Sequence, residues 1–162
     1  MKQLLPSVEK TAPLAPLFIR IGVGLSMAVH GYDKYFGEGG PGGMAGGLEE
    51  AGVPLPVVSA WLASTAEFVG GIFLLLGAFT RWWAIPVAFT MFVACMMHWS
   101  AGYANTYNDE GKFIAGMEYP LTLMLGAIAI FMTGGGKLSV DGLFLDKFIA
   151  TKFGGSASSD AE

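Results

Sequence analysis

The chain has 162 residues, of which 53% are apolar and 14% charged, and its mean hydropathy is +0.54. A soluble domain carries about 25% charged residues, so this composition excludes an ordinary water-soluble domain; it also excludes a disordered chain, which needs low hydrophobicity and high charge. Nine basic against 13 acidic residues (net −4) argue against a nucleic-acid partner, and a single cysteine, Cys95, excludes a disulfide framework, a CxxC redox pair and a cysteine-based zinc site.

A bilayer crossing needs about 20 mostly apolar residues, and four segments meet that requirement in chain order. The first runs from Leu14 to Gly31 and holds one charge, Arg20. Lys2 and Lys10 precede it as they would a signal peptide, yet Gly31-Tyr32-Asp33-Lys34 is no cleavage site, so it is expected to remain as a membrane helix. The Gly37-Glu38-Gly39-Gly40-Pro41-Gly42-Gly43 run that follows lacks the spacing of a phosphate cradle. It reads as a flexible entry to a short segment, Met44 to Ala51, stopped by Gly52 and Pro54 and lying on the membrane or dipping back into it. The second span runs from Val57 to Thr80 with Glu67, the third from Trp82 to Ala101 with His98, and the fourth from Gly116 to Thr133 with Glu118. Leu143 to Phe153 has the mixed pattern of an interfacial helix, and Gly154 to Ser159 that of a disordered end.

The expected fold is therefore all-α: an integral membrane four-helix bundle over residues 14–145, with tails at 1–13 and 146–162. Lys2, Lys10, Arg81, Lys137, Lys147 and Lys152 fall on one side of these spans, and only Lys34 and Lys112 on the other. The positive-inside rule then makes both termini cytoplasmic and turns the 32–56 and 102–115 loops outward, as in a multi-pass protein of the inner (plasma) membrane.

Ionisable groups within a bilayer are costly, usually face a bundle interior and often mark function. There is one on each span: His30, Glu67, His98 and Glu118. All fall in the outer half or near mid-membrane, with Glu67 about 15 Å from the start of its span at 1.5 Å per residue. Steps of four place them on small or weakly polar stripes: Gly22-Ser26-His30, Ser59-Ala63-Glu67-Gly71, Thr90-Ala94-His98 and Glu118-Thr122-Gly126. Small-residue stripes make helix contacts in membranes, so these four residues are expected to meet inside the bundle, leaving Phe73, Leu74, Phe89 and Phe92 to lipid. They are the candidate catalytic residues and, if a metal is held, its ligands. Candidate cofactor contacts are His30, Lys34, Glu67, His98 and Trp99. The alternative is a polar network that only joins helices. Arg20 is expected to snorkel or to pair with Asp141, and Trp61, Trp82, Trp83 and Trp99 to form interfacial belts. Met91, Met96 and Met97 are expected to fill space and Cys95 to be buried and inert.

Several pieces together resemble the DoxX family of small four-helix membrane proteins. They are His30-Gly31-Tyr32-Asp33-Lys34-Tyr35-Phe36, Glu67-Phe68-Val69-Gly70-Gly71, Leu76-Gly77-Ala78-Phe79-Thr80-Arg81, His98, Gly116-Met117-Glu118-Tyr119-Pro120, and Gly134 to Asp141 with Leu138-Ser139-Val140-Asp141. The resemblance covers residues 14 to 145 and implies a quinone-linked oxidoreductase or a membrane subunit of one, with a redox partner subunit. With one cysteine and no dinucleotide or flavin motif, electrons would come from a bound substrate, a metal or haem, or that partner. Three functions follow. The His/Glu cluster binds a quinone and moves its protons; or it holds a metal or a bis-His haem between His30 and His98, a di-iron site being disfavoured because Glu-x-x-His is absent; or the bundle is a non-enzymatic anchor or assembly partner of a redox complex. The small-residue faces also suit a homodimer.

Overall fold

The computed structural model describes residues 11–144. The expectations for Lys2, Lys10, Lys147, Lys152 and the 145–162 tail therefore lie outside the described residues. Five helices are α1 (Ala15–Phe36), α2 (Ala45–Glu50), α3 (Pro56–Leu76), α4 (Thr80–Met97) and α5 (Glu118–Thr133). A two-stranded antiparallel hairpin joins β1 (Thr106–Tyr107) to β2 (Phe113–Ile114), with Thr106 opposite Ile114. The backbone explains the boundaries. Pro16 and Pro56 sit in first turns, where a missing N–H costs nothing. α3 stops at Gly77, whose left-handed φ of 71° lets Ala78 N–H reach back to the Phe73 carbonyl at 3.0 Å. The short α2 matches the expected Met44–Ala51 segment and ends at Gly52, φ 73°.

Two boundaries differ from expectation and move candidate residues. α1 continues through Phe36, so Tyr32, Asp33 and Lys34 are helical and not loop. α4 ends at Met97, so His98 follows its last turn. α1, α3 and α4 are long and apolar enough to cross a membrane; α5, with 16 residues, is a shorter apolar helix. Many large apolar side chains are exposed, among them Phe18, Leu25, Phe89, Phe92 and Met132. A soluble monomer rarely exposes such continuous apolar surface; it suits lipid.

α1, α3, α4 and α5 pack as a ring, α1 on α3, α3 on α4, α4 on α5 and α5 back on α1. Their buried positions follow alternating steps of three and four. They are Arg20, Gly24, Met27 and Gly31 on α1, and Ala60, Ser64, Glu67, Gly71 and Leu74 on α3. Thr80, Ala84, Val87 and Met91 continue the pattern on α4, and Pro120, Leu123, Ala127 and Ile130 on α5. That seven-residue repeat is the seam of a left-handed bundle. The expected stripes of four drift off it by about 40° per step. Gly22 meets nothing within 4 Å, His30 and Thr122 are exposed, and Leu74, expected at lipid, is fully buried. The expected Glu67–Gly71 pairing does lie on the seam.

α1 and α3 approach backbone to backbone. A Cβ on Gly24 would come 2.9 Å from the Gly71 carbonyl, one on Gly31 would strike the Glu67–Phe68 backbone, and one on Gly71 would strike Ala28 N. The opposite end of the bundle is closed by Arg20 and Asp141. Arg20 is 1% exposed and does not snorkel. Its guanidinium donates to the Leu75 and Leu138 carbonyls, at 3.3 and 2.5 Å, and so caps α3. Asp141 caps α4, accepting from Phe79 N at 2.7 Å, Thr80 N at 2.8 Å and Thr80 Oγ1 at 2.6 Å. The two charges thus serve separate helix ends and form no contact ion pair.

Replacing Gly71 with alanine should destabilise the protein by about 2 kcal/mol or more, because backbone has to move. Gly22→Ala should be neutral or slightly stabilising. Thermal unfolding in detergent separates them; equal melting of both variants would contradict the seam.

Candidate functional site

The seam delivers one charged pair into the bundle. Lys34 lies three residues past Gly31, so it continues the α1 face that meets α3. There its Nζ donates to Glu67 Oε1 at 2.7 Å. Glu67 is 2% exposed, whereas the Lys34 side chain, at 36%, reaches the rim. Glu67 Oε2 is buried and has no hydrogen-bond partner. An ionised carboxylate is acceptor-only, so this oxygen is an unfilled acceptor held next to a cation.

Other groups surround the pair. Ser64, one turn before Glu67 and fully buried, donates to the Pro41 carbonyl at 3.2 Å and ties down the glycine-rich loop. Tyr119 of α5 lies beside Ser26 of α1. Its ring contacts exposed His30, with centroids 5.1 Å apart. Tyr35, Phe36 and Phe68 cover the pair's end of the seam, with Phe36 and Phe68 centroids 5.2 Å apart. An open recess of about 310 Å³ lies on the loop side, bordered by Asp33, Lys34, Glu38 and Ser64.

The structure thus brings together Lys34 and Glu67, while His30 contacts Tyr119. The two other candidates stand apart from this pair. Glu118 turns to the 102–117 loop, where its Oε1 accepts from Asn105 N at 3.3 Å and its own N–H bonds the Tyr103 carbonyl at 2.9 Å. His98 is half-buried beyond the end of α4; Trp99 is 64% exposed. Among the described residues no three His, Cys, Asp or Glu converge as metal ligands. Tyr119 and Ser64 were not singled out from the sequence. Ser64 had a signal, three residues before Glu67; Tyr119 had none beyond adjacency to Glu118.

A family model described as DoxX matches residues 15–99. The chain belongs to the DoxX family. The match spans α1, α3 and α4 and contains both Lys34 and Glu67. Two relatives extend the likeness. "Putative oxidoreductase CatD" of Bacillus subtilis is 25% identical over 135 residues, covering 83% of this chain and 90% of that one. An uncharacterized protein of Haemophilus influenzae is 30% identical over 141 residues, covering 87% of this chain and 98% of its own. No solved structure matches the chain significantly. With three apolar helices of spanning length, this DoxX protein is a multi-pass membrane protein with lipid as its immediate partner.

Breaking a buried pair strands a charge, and solvent at the rim reduces the penalty for Lys34. In this DoxX protein Lys34→Met should cost about 1–3 kcal/mol, and the double variant Lys34→Met/Glu67→Leu should recover most of it. Chemical or thermal unfolding reads both; a wild-type melting curve for Lys34→Met would show that the pair does not hold Glu67.

Proposed function

We propose that this DoxX protein is a membrane subunit of a quinone-linked oxidoreductase, or a small protein acting as one, with the Lys34–Glu67 site binding the quinone and moving its protons. The observation that carries the reading is the unpartnered Glu67 Oε2, a buried acceptor beside a fixed cation. Family membership and the oxidoreductase name of a relative support the reaction class. The donor set suits the ligand: Lys34 has N–H groups for a carbonyl oxygen and Glu67 has an acceptor for a hydroxyl. A bound quinone supplies two-electron, two-proton chemistry. Electrons reach it from a partner subunit or bound substrate.

The protein's own residues handle protons. Reduction of the quinone consumes two protons: Glu67 Oε2 takes one up and passes it to a quinone oxygen, the second arrives from solvent at the Lys34 rim, and Lys34 holds the carboxylate in place and compensates its charge. The Tyr119 ring contacts His30, which is exposed on α1. A carboxylate positioned in this way contributes about 10²–10⁴-fold in rate. Glu67→Gln should therefore lower quinone-dependent turnover by about 100-fold or more, with melting temperature and membrane insertion retained. Wild-type turnover in that variant overturns the reading.

In the same reading the chain crosses the inner membrane four times, α5 completing its crossing with flanking residues, and both termini are cytoplasmic. Lys2, Lys10, Arg81, Lys137, Lys147 and Lys152 then lie inside and only Lys34 and Lys112 outside, the Lys/Arg bias that the positive-inside rule reads. In a Cys95→Ala background, an impermeant maleimide should label Asp109→Cys on intact cells and Lys137→Cys only after lysis. The reverse pattern would invert the topology.

A further inference from the structure

We propose that the end of the bundle closed by Arg20 and Asp141 binds the headgroup of an anionic phospholipid, with Arg81 and Lys137 holding the phosphodiester and the exposed side chains of Trp82, Leu138, Leu143 and Phe144 lying among its acyl chains. The site is separate from Lys34 and Glu67 and does not depend on the quinone reading.

Three observations carry it. The first is uncompensated charge. Among the described residues the ionisable groups at this end are Arg20, Arg81, Lys137 and Asp141. Arg20 is spent on backbone carbonyls and Asp141 on the donors of Phe79 and Thr80, so these two opposite charges offset each other within the fold. Arg81 and Lys137 are exposed, and neither side chain has a hydrogen bond or ion pair. The second is placement. The Arg81 guanidinium lies over Gly134, where a Cβ would come 3.3 Å from Nε and 3.6 Å from Nη2. Lys137 follows Gly134 by three residues, a chain distance of at most about 11 Å. Asp141 N–H bonds the Gly77 carbonyl at 2.9 Å, which holds this segment against the turn before Arg81. The third is an apolar rim. Trp82 adjoins Arg81, Leu138 adjoins Lys137, and both, with Leu143 and Phe144, are exposed.

Charge and rim together select the occupant. A soluble anion would meet the two cations and leave the apolar rim bare. A zwitterionic lipid would cover the rim but bring an ammonium of its own toward Arg81 and Lys137. An anionic phospholipid satisfies both: its phosphodiester accepts charge-assisted hydrogen bonds from guanidinium and ammonium, and its chains meet the rim, as at other basic sites on membrane helices. The other end of the bundle offers no equivalent. There Asp33, Glu38, Glu49, Glu50, Asp109 and Glu110 outnumber Lys112 and the Lys34 already paired with Glu67. A headgroup held by both cations also ties α4 to the segment that carries Asp141, the cap of that helix.

The test is native mass spectrometry of the full chain released from detergent, titrated with phosphatidylglycerol or with phosphatidylcholine of the same acyl chains. The wild-type protein should retain phosphatidylglycerol in preference. Arg81→Gln and Lys137→Gln should each weaken that binding about fivefold, the weight of one basic residue near an anionic lipid surface, and leave phosphatidylcholine unchanged. Both side chains are exposed, and two variants cover the case in which one fails to fold. Lys112→Gln, which removes an exposed cation at the other end, should change nothing. Equal retention of the two lipids overturns the site, as does undiminished phosphatidylglycerol binding in the folded variants or an equal loss in Lys112→Gln. Displacement of phosphatidylglycerol by millimolar inorganic phosphate also overturns it, because the cations would then belong to a soluble anion.

Discussion

The structure depends on the approach of α1 to α3 at Gly24, Gly31 and Gly71. In lipid, helices gain nothing by hiding apolar surface from one another, so close packing and polar contacts must hold them. Backbone contact at three glycines supplies the packing. It also sets a register, because side chains flanking a glycine contact have little freedom in where they lie. With Gly31 on the Glu67–Phe68 backbone, Lys34 is carried onto the same face and its ammonium reaches Glu67. The ion pair is a consequence of the seam and the seam's chief polar contact.

The other end follows a different rule. There the difficulty is the short turn between α3 and α4, where α3 must lose its last carbonyl partners and α4 start without its own donors. Arg20 supplies donors to the first set and Asp141 acceptors to the second, and Gly77 makes room, since a Cβ there would collide with the guanidinium. The Gly134–Asp141 segment thus works as a plug for the turn. Its glycines fit the same need: Gly135 packs against Ser139 and Thr80, and Gly134 and Gly136 adopt left-handed φ near 74°.

Much of the fold was legible because hydropathy and length reveal membrane helices directly, and glycine and proline mark their ends. The site was harder to read. Steps of four correctly linked Glu67 to Gly71, but on α1 the same rule chose Gly22, Ser26 and His30, whose face meets Tyr119 of α5 and not α3. The seven-residue repeat on Arg20, Gly24, Met27, Gly31 and Lys34 would have selected the face that meets α3 and put Lys34 beside Glu67. Helix length mattered as well: ending α1 at Gly31 made Lys34 a loop residue and hid its register. Tyr119 depends on how α5 rotates against α1, which no local pattern specifies. Arg20 and Asp141 were linked in the sequence as a pair of charges. Their roles as separate caps required knowing which helix ends the turn leaves open.

A buried ion pair is weak grounds for stability, since well-packed apolar residues of similar size are often as stable or more so. The seam has no need of Glu67 for packing: three glycine contacts and the Met27–Leu74 core already join the helices. Nor is Glu67 satisfied as glue, because one oxygen is spent on Lys34 and the other has no partner. Asp141 has both oxygens bonded, to Phe79 and Thr80, although Arg20 Nε at that end is also buried without a partner. The two ends of one bundle thus treat a carboxylate in opposite ways. Asp141 is saturated by the backbone, and Glu67 keeps an acceptor in reserve. That contrast, within one chain, is the physical reason to look for chemistry at Glu67 and for none at Asp141.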